Sequence, residues 1–444
     1  MILKLINHMA VLMVIAYVLT RTRFYTNIIN KKFTVLNRII LIIIFGILSI
    51  YGTISGVAFR GVVANIRDLG PSIAGLLAGP IVGFGAGLIG ACHRFFFIGG
   101  STRIPCATAT LLAGIAAGLI YSLRKGKFIG VGGAVLFSFL FEQFHMLLVI
   151  IINGATPEII AIVKKVVLPM TLANSIGMAI FMFFSLNLIK ERKTEVAKER
   201  IESELKVAHD IQMGIIPKIF PPFPERSEFD IHAVIEPAKE VGGDFFDFYF
   251  VDDEHLCFTI ADVSGKGVPA SLFMAVSKTL LKTKSQTEIT PDKILSQVNN
   301  LLCDENDSAM FVTTFYAILN TKTGEIVYSN GGHNLPYHIK SSGQITQLEN
   351  TPGVALGVME DFEYSSKWIQ LAKNDILYLY TDGVNEAMDK DGNQFSYERM
   401  EEFLQKSISQ KPVEITKQTL ANIREFAKGA VQSDDITVLV IKYN

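Results

Sequence analysis

Charge divides this chain sharply at residue 189. Residues 1–189 carry 15 Lys and Arg against 3 Asp and Glu, whereas residues 190–444 carry 26 basic and 39 acidic side chains. The formal net charge of −1 is therefore a cancellation between two unlike halves. A basic, apolar half is typical of a bilayer-embedded domain with cationic loops. The acidic half is typical of a soluble domain, and its carboxylates are the ligands that hard cations prefer.

The basic half contains apolar segments long enough to cross a bilayer, which takes about 20 residues. These segments occupy roughly 2–20, 39–59, 72–92, 106–123, 129–152 and 159–189. If all six crossed and the acidic half were cytoplasmic, the basic loop 21–38 would face outside, against the positive-inside rule. We therefore predict five true spans and a re-entrant element at 72–92, with Met1 outside. No cleavage-site pattern follows residue 20, so the first segment is expected to be retained.

Segment 72–92 is unusual in its glycines, because Gly75, Gly79, Gly83 and Gly87 recur every four residues and Pro80 interrupts the run. Glycines on one helix face let a second helix approach closely. Two interpretations remain open from the sequence, close helix packing and a ligand cavity.

Polar residues flank this segment: Asn65, Arg67, Arg94 and Arg103. Arginines within a membrane domain indicate a functional site, and a guanidinium can bind a carboxylate through two parallel hydrogen bonds. We predict that these four residues bind a small solute, with a position at headgroup level as the alternative. The run from Asn65 to Tyr121 resembles the LytS-type five-transmembrane receptor domain, which otherwise precedes histidine kinases. The resemblance covers roughly residues 1–189 and implies a sensor of a small solute.

The chain becomes highly charged after residue 189. Ile201, Leu205, Ala208, Gln212 and Ile215 follow the 4-3-4-3 spacing of a coiled-coil seam, in which a polar Gln212 would fix register. A helix continuous with the last span would transmit movement to the next domain, although a passive spacer is the alternative.

Short β-rich runs dominate the acidic half. They are FDIHAVIE, HLCFTIADV, MFVTTFYAILN, EIVYSNGG, DILYLYTDG and DDITVLVIKY, with helical stretches near 268–283, 291–303, 396–408 and 412–428. Runs of this kind are typical of antiparallel sheets, so we predict an α+β sandwich.

Aspartates recur where such runs begin or end, in GGD, ADVSGKG, TDG and SDD, and glycines lie beside or near those of the first three. Several carboxylates that meet at one sheet edge repel each other unless cations neutralise them. Oxygen ligands select Mg²⁺ or Mn²⁺, and a pair of such ions can activate water for phosphoester hydrolysis.

The ordered motifs GGDFFD, ADVSGKG, GGHN, LYTDGVNEA and SDDITVLVI resemble the SpoIIE-like branch of the PPM phosphatases. The resemblance runs from about Ala208 to the end. It implies two packed antiparallel β-sheets flanked by helices and a centre of two Mn²⁺ or Mg²⁺ ions.

The same resemblance implies roles for individual residues. Asp262 corresponds to the aspartate that bridges both metals, and Val263 offers a carbonyl ligand. Asp382 and Asp434 correspond to further carboxylate ligands of one metal. Asp244 corresponds to an acid that either binds a metal directly or supports a residue that binds it.

Four more residues are expected around the metals. Asp435 stands where many relatives carry Asn and is assigned a supporting role. The phosphate-binding arginine of eukaryotic PPM enzymes has no clear equivalent here, so Lys239 or Lys266 is a candidate for holding phosphate. His333 is either a general acid or a structural residue of a tight hairpin.

Together these patterns predict a membrane sensor at 1–189, a helical linker at 190–219 and a phosphatase domain at 220–444. The expected protein is a membrane-anchored, homodimeric serine/threonine phosphatase with its catalytic domain in the cytoplasm. The resemblance implies a phosphoserine STAS-domain protein that controls a sigma factor as the substrate. The alternatives are a non-catalytic receptor or scaffold and a transporter-like protein. The soluble half is acidic and has no basic stripe, so nucleic-acid binding is not expected.

Overall fold

The computed structural model describes residues 14, 17, 18, 22, 34–59, 62–98, 100–304 and 306–444. The chain forms two compact units, Met1–Lys198 and Glu199–Asn444. Most of the predicted segment 2–20 and of the basic loop 21–38 lies outside the described residues. The position of Met1 therefore stays a prediction.

The first unit is helical. Its elements are α1 (Val35–Ile54), β1 (Val57–Phe59), β2 (Val62–Ala64), α2 (Leu69–Ala78), α3 (Pro80–His93), a π-helical turn (Arg94–Ile98), α4 (Arg103–Leu123), α5 (Val131–Asn153) and α6 (Pro157–Ile215). The last part of α6, from Glu199 on, belongs to the second unit. Among the described residues, five helices are long and apolar enough to cross a membrane, namely α1, α3 with its π-helical turn, α4, α5 and α6. The prediction of a multi-pass helical domain is confirmed.

The prediction that 72–92 forms one re-entrant element is corrected. Gly79 has φ +88°, a backbone conformation that glycine adopts without strain, and it divides the segment into α2 and α3. Only α2 is short, at 10 residues, whereas Pro80–Ile98 reaches 19 residues. The interruption expected at Pro80 is therefore a complete break between two helices.

The glycine ladder lies where helices cross. A Cβ added to Gly83 would collide with the Gly114 carbonyl of α4, and one added to Gly75 would lie 2.5 Å from the same oxygen. A Cβ on Gly118 would in turn collide with Pro80. The close-packing interpretation therefore describes these glycines, because their missing side chains let α2 and α3 approach the α4 backbone.

The predicted linker helix is the C-terminal part of α6, which runs unbroken over 59 residues. Its seam prediction is wrong for Gln212, whose side chain is only 4% exposed and packs within the second unit. Ile201 and Ile215 of the same predicted seam are 57% and 41% exposed. Gln212 is therefore not available to a coiled-coil partner, whereas these two isoleucines are.

The second unit is a sandwich of two five-stranded sheets in which neighbouring strands pair antiparallel. The first sheet has the order β10-β7-β6-β5-β4, and the second has the order β3-β12-β11-β8-β9. The strands are β3 (Phe229–Glu236), β4 (Phe245–Phe250), β5 (His255–Val263), β6 (Val312–Asn320), β7 (Glu325–Gly331), β8 (Tyr337–Ile339), β9 (Ile345–Gln347), β10 (Lys367–Gln370), β11 (Ile376–Tyr380) and β12 (Ile436–Tyr443). The predicted α+β sandwich is confirmed.

Helices cover both outer faces of this sandwich. They are α7 (Val268–Lys284), α8 (Pro291–Cys303), α9 (Asp382–Asn385), α10 (Ser396–Gln405) and α11 (Pro412–Phe426). Helices α7 and α8 pack on the first sheet, and α11 packs on β3 and β12 of the second.

Strand β11 shows how this layering shapes the sequence. Leu377 and Leu379 point into the core between the sheets, whereas Tyr378 and Tyr380 point into the layer under α10 and α11. Both faces are buried, so the strand is an uninterrupted apolar run rather than an alternating one. Burying each such side chain contributes about 2 kcal/mol.

Candidate active site

Strand pairing brings the predicted aspartates to one edge of the sandwich. In the first sheet, Phe245 pairs with Ala261, so the start of β4 lies beside the end of β5 and places Asp244 near Asp262. In the second sheet, Tyr380 pairs with Val438, so the end of β11 lies beside the start of β12. That pairing places Asp382 near Asp434. Each sheet therefore contributes two aspartates.

The carboxylates at this edge interact strongly with one another. Burial, followed by the charge of Asp382, raises the pKa of Asp262 to about 7. Burial and the nearby Asp434 also raise the pKa of Asp382. Because these groups resist ionising together, the edge favours a cation that would neutralise them.

Asp244 is almost completely buried, at 2% exposed. The hydroxyl of Thr381 donates to its Oδ2 at 2.7 Å, and the hydroxyl of Thr437 donates to the same oxygen at 2.6 Å. Burial and the charge of Asp262 raise the pKa of Asp244 well above its usual range. Thr381, directly after β11, and Thr437 in β12 thus orient an acid that directly precedes β4 of the other sheet.

The carboxylate of Asp435 accepts hydrogen bonds from backbone amides instead of facing the other carboxylates. Its Oδ1 accepts the Ala238 amide at 2.8 Å, and its Oδ2 accepts the Gly243 amide at 2.7 Å. A Cβ on Gly243 would lie 2.8 Å from the Val263 carbonyl oxygen, so only glycine fits there. Asp435 therefore positions the loop that carries Asp244.

The two predicted phosphate-binding lysines differ in position. Lys266 donates to Asp434 Oδ2 at 2.8 Å and also to the Ser433 carbonyl. Partial burial opposes ionisation, but the contact with Asp434 outweighs it and raises the pKa of Lys266. Lys239 is an exposed residue of the loop after β3. Only Lys266 lies among the acidic residues.

His333 is buried between the sheets and uses both ring nitrogens. Its Nδ1 lies 2.9 Å from the Thr313 hydroxyl, and its Nε2 lies 3.2 Å from the Tyr380 carbonyl. Only an N–H can satisfy that carbonyl, so Nε2 carries the proton and Nδ1 accepts from Thr313. Burial lowers the pKa of His333 to about 4. These contacts favour the structural interpretation over the general-acid one.

Gln212 links α6 to the same loop, which the sequence did not indicate. Its Nε2 donates to the Gly242 carbonyl at 2.6 Å, and its Oε1 accepts the Gly242 amide at 3.1 Å. The Gly242–Asp244 segment is thus held by α6 on one side and by Asp435 on the other.

The donors at this edge fit a centre for hard divalent ions. They comprise the carboxylates of Asp262, Asp382 and Asp434, the neighbouring Asp244, and the Val263 carbonyl approached by Gly243. Oxygen donors of this kind suit Mg²⁺ and Mn²⁺. Among the described residues, a tight group of three ligand atoms within 4.8 Å of one another occurs only in the first unit. The carboxylate oxygens at the acidic edge are thus spaced more widely than the ligands of a single ion.

The predicted solute-binding residues of the first unit are partly brought together. Asn65, Arg67 and Arg94 line a cavity of about 300 Å³. Arg67 is 1% exposed, and its Nη2 makes no hydrogen bond; neither does Nε of Arg94. Arg103 is not among the lining residues, and its guanidinium lies 5.3 Å from the centre of the Phe95 ring.

Sequence reasoning missed a buried polar group beside this cavity, formed by Asp68, Glu142 and His145. Glu142 and His145 stand three residues apart inside the apolar run of α5, a signal that could have identified them. Thr381 and Thr437 were also missed, because nothing in their local sequence indicates that both reach Asp244.

Two family models match separate parts of the chain. Residues 252–444 match "Stage II sporulation protein E (SpoIIE)", and residues 22–187 match "5TMR of 5TMR-LYT". The SiaA-PP2C domain of Pseudomonas aeruginosa aligns with a TM-score of 0.50 at 20% identity, covering 56% of this chain and 99% of that domain. This likeness shows the fold alone.

The curated relatives also match separate parts of the chain. Phosphoserine phosphatase RsbU of Bacillus subtilis (strain 168) is 28% identical over 256 residues, 55% of this chain and 71% of RsbU. Sensor histidine kinase BtsS of Escherichia coli (strain K12) is 31% identical over 189 residues, 41% of this chain. The chain spans only 33% of the length of BtsS.

Proposed function

We propose that this chain, whose parts match the SpoIIE and 5TMR-LYT family models, is a signal-controlled, metal-dependent protein serine/threonine phosphatase in the membrane. The observation that carries this proposal is the convergence of Asp244, Asp262, Asp382 and Asp434 at one sandwich edge. We place the sensor at 1–189, the linker at 190–219 and the phosphatase at 220–444.

Asp262, Asp382, Asp434 and the Val263 carbonyl would hold two Mn²⁺ or Mg²⁺ ions, with Asp244 beside them. Such ions supply a water of lowered pKa and polarise the phosphoryl group. The chain's own residues organise the site. Thr381 and Thr437 orient Asp244, and Lys266 keeps a positive charge beside Asp434 for the phosphate oxygens.

The substrate we propose is a phosphoserine STAS-domain protein that regulates a sigma factor. The likeness to RsbU, named a phosphoserine phosphatase, supports this substrate class. The catalytic domain would then lie in the cytoplasm with its substrate.

This function is tested by phosphate release from a phosphoserine STAS-domain protein by the full chain in lipid nanodiscs. We expect release with Mn²⁺, none with EDTA, and a loss of at least about 100-fold in Asp262→Asn. The matched control is Asp253→Asn, an exposed aspartate in the turn before β5, which should retain activity. Equal activity in Asp262→Asn and the control would refute the metal site.

For the first unit we propose a small carboxylate as the sensed solute. The unpartnered guanidinium nitrogens of Arg67 and Arg94 beside the cavity support this ligand class. We expect Arg94→Gln to abolish binding of small carboxylates measured by calorimetry on the full chain. Arg103→Gln, outside the lining, is the control. Retained binding in Arg94→Gln would exclude this cavity.

We also propose a homodimer formed through α6. Val207, Ile211 and Ile215 recur every four residues on this helix and are 57%, 62% and 41% exposed. They form an exposed apolar stripe along α6, which suits a second copy. Ile211→Glu should convert the dimer to a monomer in light-scattering measurements, and a persistent dimer would refute this interface.

A further inference from the structure

Three ionisable side chains meet in the interior of the first unit. Asp68 lies directly before α2, and Glu142 and His145 lie on one face of α5. Asp68 is 4% exposed, Glu142 1% and His145 0%. Burying such groups in an apolar helical domain is costly, so they are retained where they bind one another or a ligand.

Their inward atoms are close together but do not satisfy one another. Nδ1 of His145 lies 2.8 Å from Asp68 Oδ2 and 3.5 Å from Glu142 Oε1. All three atoms nevertheless lack a hydrogen-bond partner. The ion pair between His145 and Asp68 is therefore poorly aligned as a hydrogen bond, and it leaves Oε1 of Glu142 without a hydrogen-bond partner.

The remaining polar atom of each side chain is occupied by a neighbour. Asp68 Oδ1 accepts the Thr110 hydroxyl at 2.6 Å, and Glu142 Oε2 accepts the Asn174 amide at 3.1 Å. The second ring nitrogen of His145, Nε2, lies 3.5 Å from Cys106 Sγ. Each side chain is thus oriented by one atom while the other faces a common point, as supporting hydrogen bonds orient metal ligands.

We propose that Asp68, Glu142 and His145 bind one divalent transition-metal ion within the membrane domain, separately from the phosphatase centre. One imidazole nitrogen with two carboxylate oxygens is a donor set that suits Zn²⁺. Bond lengths near 2.0–2.2 Å place tetrahedral ligands roughly 3.3 Å apart. The observed 2.8 and 3.5 Å bracket that spacing.

The charges around this site are compatible with a dication. Two carboxylates neutralise it while His145 stays neutral, and the guanidinium of Arg67, 3.6 Å from Asp68 Oδ1, provides one further positive charge. An anionic solute in the adjoining cavity, which Arg67 and His145 both line, would balance that charge.

The test measures zinc per chain in full-length protein purified without a histidine tag. The forms compared are the wild type, His145→Gln, Asp262→Asn and the double variant. We expect His145→Gln to lose one zinc per chain whether or not Asp262 is intact. His93→Gln, in the same unit but outside the cluster, is the matched control and should retain it. Equal zinc in the wild type and His145→Gln would overturn the proposal.

A second measurement avoids any change to the cluster. X-ray absorption at the zinc edge of Asp262→Asn should show one imidazole nitrogen in the shell, since the phosphatase site offers oxygen ligands only. A zinc shell without imidazole would overturn the proposal even if His145→Gln failed to fold. The three side chains would then form a closed polar cluster.

Discussion

At the scale of single residues, the acidic edge depends on side chains that hold its carboxylates in place. Thr437→Val keeps the shape of the side chain but removes one of two hydroxyls on Asp244 Oδ2. We expect activity to fall about 10–100-fold, with a stability cost of about 1 kcal/mol. Phosphatase assays and thermal unfolding of the same preparations check both values.

The control for this change is Thr279→Val, which removes an exposed hydroxyl that bonds only within α7. If Thr437→Val kept full activity, the carboxylate of Asp244 would not need its hydroxyl partners.

His333 provides a pH prediction at the same scale. Its pKa falls from 6.5 to about 4 on folding because the ring is buried. The unfolded chain therefore binds a proton that the folded chain does not, so stability is lost as pH falls from about 6.5 towards 4. The loss reaches about 3 kcal/mol. In His333→Asn, the free energy of unfolding should therefore differ less between pH 7 and pH 4.5 than in the wild type. Denaturant unfolding at the two pH values measures this difference.

The outcome distinguishes the two interpretations of His333. A structural residue changes stability and its pH dependence, whereas a general acid changes the pH profile of the rate. An acid limb in kcat that disappears in His333→Asn without a stability change would contradict the structural interpretation.

The sequence allowed the aspartates to be predicted because each stands where an apolar run begins or ends, and Asp244 and Asp382 stand beside glycine. It did not allow Thr381, Thr437 or Gln212 to be predicted, since their partners lie 30 to 193 residues away along the chain. Such contacts depend on the pairing of β11 with β12 and on the packing of α6, which no local pattern specifies.

At the scale of elements, strands with a clear hydrophobic signal were predicted and short ones were not. Helix α8 occupies 291–303 as predicted, and β3 and β5 match their predicted runs. The sequence did not indicate β4, because FFDFYF is buried on both faces over most of its length and does not alternate. Strands β8 to β10 have only three or four residues, too few for a period to be recognised.

The crossing of α3 and α4 gives a stability prediction. Gly114→Ala would place a methyl group against the backbone of Gly83, so the helices must separate and the first unit should unfold at a lower temperature. Gly132→Ala in α5 is the control, because a Cβ there meets nothing within 4 Å. Alanine at that position should be neutral or stabilise by up to about 1 kcal/mol.

Thermal unfolding in detergent compares the two glycine variants directly. Equal midpoints for Gly114→Ala and Gly132→Ala would mean that the helices do not cross at these glycines.

Gln212 gives a prediction about the contact between α6 and the active-site loop. Gln212→Leu would leave the buried amide and carbonyl of Gly242 without partners, at a cost of about 1–3 kcal/mol each. We expect weaker Mn²⁺ binding and lower activity, because the loop also carries Asp244. Titration of activity with Mn²⁺ measures this, with the exposed Gln286→Leu of the segment after α7 as control. An unchanged Mn²⁺ dependence would show that this contact does not support the metal site.

At the scale of the whole molecule, the acidic half must neutralise its own charge where four aspartates meet. The division of charge at residue 189 predicted two units of different character, and the contact boundary between Lys198 and Glu199 lies close by within α6. Composition could not indicate how far the pKa values of these carboxyl groups are shifted, because the shifts depend on the burial and spacing of the groups.

Metal binding should therefore be coupled to proton release from this edge. The pKa of Asp262 is about 7 against a usual 3.8, so the metal-free folded chain retains a proton that the unfolded chain releases. The stability contributed by this proton is present below about pH 4 and is lost as pH rises through about 7. A divalent ion needs the ionised carboxylate and must displace the proton.

We expect Mn²⁺ binding to release more protons at pH 6 than at pH 8.5, where Asp262 is already ionised. Calorimetry of the full chain in buffers of different ionisation enthalpy counts these protons, and Asp262→Asn should release fewer at pH 6. The rise in unfolding temperature caused by Mn²⁺ should grow from pH 5.5 to pH 7.5 as competition from protons declines. Proton release that is the same at both pH values would mean that the ions bind away from Asp262.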